Sequence, residues 1–110
     1  MKYTLGEFEE IVLLLVAVQH HEAYGLSIAN AIEDQLKRNV TLSSVHTALY
    51  RLEEKGYVKS EVGGASNERG GRRKRIFKIT QAGKEMLEVS REARNKLWSM
   101  IPGIAFEGLS

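Results

Sequence analysis

At 110 residues the chain holds one domain's worth of material, enough for a small core and little beyond it. Its 43% hydrophobic and 27% charged residues argue against global disorder, and the absence of cysteine excludes disulfides, thiolate zinc sites and thiol nucleophiles. The net charge of +2 is small but unevenly spread: residues 1–36 carry one lysine against six acids, residues 37–80 eleven Lys or Arg against four acids, and residues 81–110 four of each.

The first segment, Met1-Lys2-Tyr3-Thr4, lacks the pattern of a signal peptide. The longest apolar run, Ile11 to Val18, has eight residues, well short of the roughly 20 that a membrane-spanning helix needs. A cytoplasmic protein is expected. Leu5, Phe8, Val12 and Leu15 recur at helical spacing, with Ile11, Leu14 and Val18 filling a neighbouring stripe, so residues 5–19 predict a central buried helix. Glu7, Glu9 and Glu10 suit the positive end of its dipole. His20-His21-Glu22-Ala23-Tyr24-Gly25 breaks it. Adjacent side chains at a helix end diverge, so these histidines read as a polar connection, and neither metal nor cofactor is expected.

From Leu26, the positions Ile28, Ala29, Ile32 and Leu36 restore the helical period, ending near Lys37-Arg38. Thr41 or Ser43 can then accept a backbone N–H as the N-cap of a third helix over 43–55. Val45, Leu49 and Leu52 face its core side with Ala48 beside them. Its other side shows Ser44, His46, Thr47, Tyr50, Arg51 and Glu54, and Gly56 ends it. Two helices joined by a short turn, the second with polar groups at its exposed N-terminal end, is helix-turn-helix organisation.

Residues 57–62 and 75–80 are rich in β-formers and predict two strands. The Gly- and Arg-rich stretch between them, 63–73, reads as a long hairpin tip. Residues 69–78 hold six Lys or Arg and no acid, a density that repels itself unless anions offset it. Thr80 can cap a last helix from Gln81 to about Ile101, stopped by Pro102-Gly103. In it Met86, Ser90, Ala93, Leu97 and Met100 form a heptad-like seam too long for so small a domain to bury alone, which points to a partner helix. Trp98 and Ile101 join that candidate interface. The tail from Ile104 to Ser110 carries no pattern and is expected to be loosely ordered.

A duplex major groove admits one α-helix, and the phosphates at its rims need donors and positive charge. The third helix supplies the first through Ser43, Ser44, His46, Thr47, Tyr50 and Arg51. The hairpin supplies the second through Arg69, Arg72, Arg73, Lys74 and Arg75. Double-stranded DNA is thus the expected partner. No GxSxG, HExxH, P-loop or dinucleotide fingerprint is present, and Glu53-Glu54 point in different directions, so an enzyme is not expected. The other reading is a protein-interaction module whose basic hairpin docks an acidic partner.

Leu5-Gly6-Glu7-Phe8-Glu9, Ala23-Tyr24-Gly25 with Ile28, the run Leu49-Tyr50-Arg51-Leu52-Glu53-Glu54-Lys55-Gly56-Tyr57-Val58, and the basic run from Gly70 through Thr80 to Gly83 resemble the PadR family of transcriptional regulators. The resemblance covers roughly residues 5–100. It implies a mainly α fold with a small β-hairpin: a winged helix-turn-helix domain over 1–80, a C-terminal dimerisation helix over 81–101 and a tail over 102–110. It also implies a homodimer that sets two recognition helices in successive major grooves of a palindromic site and represses nearby genes. The family usually carries a tyrosine where this chain has His46, which can still donate to phosphate. Some relatives bind flat aromatic compounds between paired C-terminal helices using tryptophan, which makes Trp98 a candidate effector contact besides an interface anchor.

Overall fold

The computed structural model describes residues 5–63 and 74–110. Its elements are α1 (Glu7–Gln19), α2 (Gly25–Leu36), α3 (Leu42–Glu54), β1 (Val58–Val62), β2 (Arg75–Ile79), α4 (Gln81–Met100) and a 3-10 turn (Gly103–Phe106). Among the described residues, no helix is long and apolar enough to cross a membrane.

Three helices and the hairpin enclose one core. Val12, Leu13 and Val16 come from α1, Ile28, Ala29 and Ile32 from α2, and Val45, Ala48, Leu49 and Leu52 from α3, closed by Val58 and Phe77 of the hairpin. Of the apolar positions expected to face inward over residues 5–19, Val12 is buried and Leu5, Phe8, Ile11 and Leu15 pack against the core, but the edge of the face is placed differently. Leu14 and Val18, expected inside, are 44% and 73% exposed, while Leu13 and Val16 are buried. The run from Ile11 to Val18 is apolar on every side, so only the neighbouring elements decide which face turns inward. Acidic side chains near the start of α1 fasten it to its surroundings: Glu7 to Arg38 at 3.0 Å, Glu9 to Lys55 at 2.6 Å and Glu10 to Arg94 at 2.8 Å.

The α3 terminus follows from glycine. Gly56 has a φ of +85°, which an L side chain resists. Its N–H reaches the Glu53 carbonyl at 3.0 Å while the Tyr57 N–H reaches that of Leu52 at 2.9 Å, the paired bonds of a Schellman motif. β1 and β2 then pair antiparallel, Val58 opposite Ile79 and Val62 opposite Arg75. The sheet gains a short third member that the sequence did not announce: Ala23 bridges Phe77, whose N–H donates to the Ala23 carbonyl at 2.8 Å.

Thr80 locks the hairpin to α4. Its hydroxyl accepts the Gly83 N–H at 3.1 Å and donates to the Gly56 carbonyl at 2.6 Å. Gly83 lies so close to the chain ahead of β1 that an added Cβ would stand 2.2 Å from the Tyr57 oxygen and 2.8 Å from Ile79 Cγ1. Backbone cannot move aside as a side-chain tip can. Gly83→Ala should therefore destabilise the fold by about 1–3 kcal/mol, read from urea unfolding, although alanine is the better helix former. A neutral result would show that α4 can shift away from β1 at no cost.

Past this junction α4 leaves the core. Met86 is only 5% exposed, so it does not open the expected seam; it packs inside its own domain, because the first turns of α4 still lie over the core. Ser90 is half-buried, and every residue from Arg91 onward is exposed. The tail also departs from expectation. Residues 103–106 form a 3-10 turn, with the Ala105 N–H bonded to the Pro102 carbonyl at 2.9 Å, and Ile104 and Phe106 are 71% and 55% exposed.

Candidate nucleic-acid interface

The α3 N-terminus is built by Thr41, one of the two expected caps. Its hydroxyl accepts the Ser44 N–H at 3.1 Å, and its carbonyl accepts the Ser44 hydroxyl at 2.8 Å. Ser43 stands inside the first turn, and Thr47 turns its hydroxyl back to the Ser43 carbonyl at 2.9 Å. The exposed surface here comprises Ser43, Thr47, Tyr50 and Arg51, together with Leu42 at the tip, 44% exposed. Periodicity alone gave Leu42 no role, yet an apolar side chain beside hydroxyls suits contact with a thymine methyl group. Ser44 is half-buried.

His46 is also half-buried, turned toward α2. A Cβ on Gly25 would meet its Cε1 and Nε2 at 2.6 Å, and its Nδ1 is buried with no hydrogen-bond partner. Gly25 thus leaves the room in which the imidazole lies, which gives the Tyr24-Gly25 pair a packing reason. The ring continues into an aromatic series. His46 stacks on Tyr50 with centroids 6.0 Å apart and planes at 22°, and Tyr50 meets Phe77 at 6.2 Å and 64°. These spacings lie within the range of attractive aromatic pairs, and they connect the exposed face of α3 to Phe77, the one buried residue of β2.

At the hairpin base the Lys74 ammonium sits 4.3 Å from the centre of the Tyr24 ring, a cation–π contact that fixes its position. Arg75 donates to the Ser60 hydroxyl at 3.0 Å, and that hydroxyl donates to Glu53 at 2.6 Å. The last turn of α3 and both strands are therefore joined by one polar chain. On the outer face Lys78 bridges Glu61 at 2.8 Å, and the hydrogen bond and charge of Lys78 hold the Glu61 carboxyl below its ordinary range. Lys74 and Arg75 are both exposed. Arg69, Arg72 and Arg73 lie outside the described residues.

The second set of expected residues lies on the second half of α4 and just beyond it. Leu97, Trp98 and Met100 are 63%, 65% and 65% exposed, and Ile101 37%, with Ala93 also exposed. Beside them a groove of about 750 Å³ runs between α1 and α4, lined by Leu14, Ala17, Leu87 and Trp98 among others, with Glu10 and Arg94 at its rim. Leu14, which the core leaves exposed, thus lies along α4.

The family model of PadR-like transcriptional regulators matches residues 13–89, from the middle of α1 through the first half of α4. The chain belongs to the PadR-like family. It is a transcriptional regulator rather than an enzyme, and its four helices and antiparallel hairpin match solved structures of PadR-like proteins. A PadR-like transcription factor from Bacteroides fragilis is 18% identical with a TM-score of 0.72, over 84% of each chain. A PadR family regulator from Clostridium difficile is 24% identical with a TM-score of 0.67, over 84% of this chain and 92% of that one. A PadR-like regulator from Bacillus cereus is 17% identical with a TM-score of 0.71, over 93% of each. No curated protein matches the sequence.

Proposed function

We propose that this PadR-like regulator is a cytoplasmic repressor that binds a palindromic operator as a homodimer, through α3 and the 63–75 wing. The observation that carries the reading is the joint made by Tyr50 on Phe77 and by Glu53, Ser60 and Arg75. It holds the polar face of α3 and the basic base of the wing in one fixed relation. Ser43, Ser44, Thr47, Tyr50 and Arg51 address the major groove, and Lys74 and Arg75, with Arg69, Arg72 and Arg73, address phosphates. His46 supports the helix from its α2 side and contributes a donor at the edge of the contact.

Dimerisation is assigned to α4. Its 20 residues span about 30 Å, and its exposed side carries Ala93, Leu97, Trp98, Met100 and Ile101. Selection of bound sequences from random duplexes should return an inverted repeat with half-sites about one helical turn, roughly 34 Å, apart. Sizing of the complex should give two chains per duplex. No enrichment over scrambled DNA would move the assignment to a module for acidic protein partners.

The groove favours a second feature of the same reading, relief of operator binding by a flat aromatic effector. Leu14, Leu87 and Trp98 offer it apolar walls. Trp98 is the single tryptophan of the chain, so saturable quenching of its fluorescence reports that event directly.

A further inference from the structure

A second cleft, of about 300 Å³, lies where the end of α1 meets the outer face of the hairpin, and His20, His21, Lys59 and Lys78 surround it. We propose that these four side chains bind a phosphate group, free or as a monoester, between the α1 terminus and the β1–β2 ladder.

Three features converge on an anion. Lys59 and Lys78 stand directly opposite each other in the ladder, an arrangement that destabilises a hairpin unless negative charge lies between. Glu61 engages Lys78 from the diagonal position, and Lys59 has no ion pair among the described residues. His20 and His21 both adopt positive φ, 31° and 69°, and non-glycine residues held in such conformations gather at functional sites. Their rings meet edge to face at 4.0 Å, so the turn brings both imidazoles to one cleft. Besides Lys78, the charges of Lys59 and His21 also favour the ionised form of Glu61, so both lie near enough to act on an anion at this face.

Position separates this cleft from the α3 surface. The pocket beside Ser44, Thr47 and Arg51 lies at the N-terminal end of α1, against Gly6 and Glu7, and the length of α1 puts about 18 Å between the two. The cleft instead shares Ala17 and Ile79 with the α1–α4 groove. A phosphate held there braces the junction from which α4 departs, so a free phosphate or monoester is the favoured source over the DNA backbone.

The test is a titration of the full chain with inorganic phosphate at constant ionic strength, following the ring signals of the three histidines. His20 and His21 should shift saturably, and His46, which packs against Gly25 and does not line the cleft, should not. Lys59→Gln, an exposed change, should weaken phosphate binding about fivefold, the upper range for an exposed charge pair, and Lys59→Gln with Lys78→Gln should abolish saturation. Unchanged His46 signals certify that both variants are folded. Shifts that stay linear, that chloride reproduces, or that persist in the double variant overturn the site. Duplex DNA in phosphate-free buffer separates the sources. Still His20 and His21 signals support a free phosphate, whereas saturable shifts with a salt slope reduced by about 1 in Lys59→Gln overturn that source in favour of the DNA backbone. The first arm uses no DNA and so stands apart from the operator proposal; the second is read on a duplex whose binding fluorescence anisotropy has established.

Discussion

Raising salt from 50 to 200 mM should weaken operator binding by about 10³–10⁵-fold, the loss expected when a dimer neutralises about 6–10 phosphates and releases their counterions. Net charge alone gives no reason for so steep a response, since the whole chain carries only +2. Its arrangement does. Eleven Lys or Arg face four acids over residues 37–80, and two of those acids are already engaged: Glu53 through Ser60 and Glu61 through Lys78. Lys74 and Arg75 remain exposed at the wing base, held by Tyr24 and Ser60. Lys74→Ala should lower the salt slope by about 1 per protomer contact and weaken all duplexes alike. Arg51→Ala should weaken the operator more than scrambled DNA, because it stands on the α3 face. Filter binding or fluorescence anisotropy across the salt series measures both, and a flat response would remove the phosphate contacts and with them the DNA reading of the wing.

The parts of this architecture that were legible in the sequence are those written in local chemistry. Thr41, Gly56 and Thr80 mark element ends because each satisfies, or frees, backbone groups within a few residues, and α3 falls within one residue of its expected span. Features that depend on distant elements were not legible. Every position from Ile11 to Val18 is apolar, so periodicity has no polar marker with which to choose between Leu13 and Leu14, and only the packing of α2, α3 and α4 around α1 tells them apart. Met86 matched a dimer seam and a core position equally well. His46 looked like a surface donor until Gly25, 21 positions earlier, proved to face its ring. The Ala23–Phe77 bridge joins segments more than fifty residues apart, with no signal in either beyond an apolar residue. The candidate DNA surface was thus readable as composition and polarity. The aromatic and polar links that orient it were not.

Phe77 is where those links meet, and Phe77→Ala should cost about 3–5 kcal/mol, a large share of the 5–15 kcal/mol that holds a typical domain together. The side chain is fully buried, its N–H closes the bridge to Ala23, and its ring receives the edge of Tyr50. Urea unfolding should show a lower midpoint at unchanged slope. Loss of a buried ring destabilises any core, so the diagnostic comparison is Phe77→Leu, which keeps most of the apolar contact and removes the aromatic pair. A double-mutant cycle with Tyr50→Leu should return a coupling of about 0.5–1.5 kcal/mol in stability. The same cycle read in operator affinity separates packing from orientation. Should Phe77→Leu weaken operator binding at temperatures where the variant is fully folded, the ring sets the angle between α3 and the wing. Unchanged affinity would leave that task to the polar chain from Glu53 through Ser60 to Arg75, and Ser60→Ala would then be the substitution that loosens it.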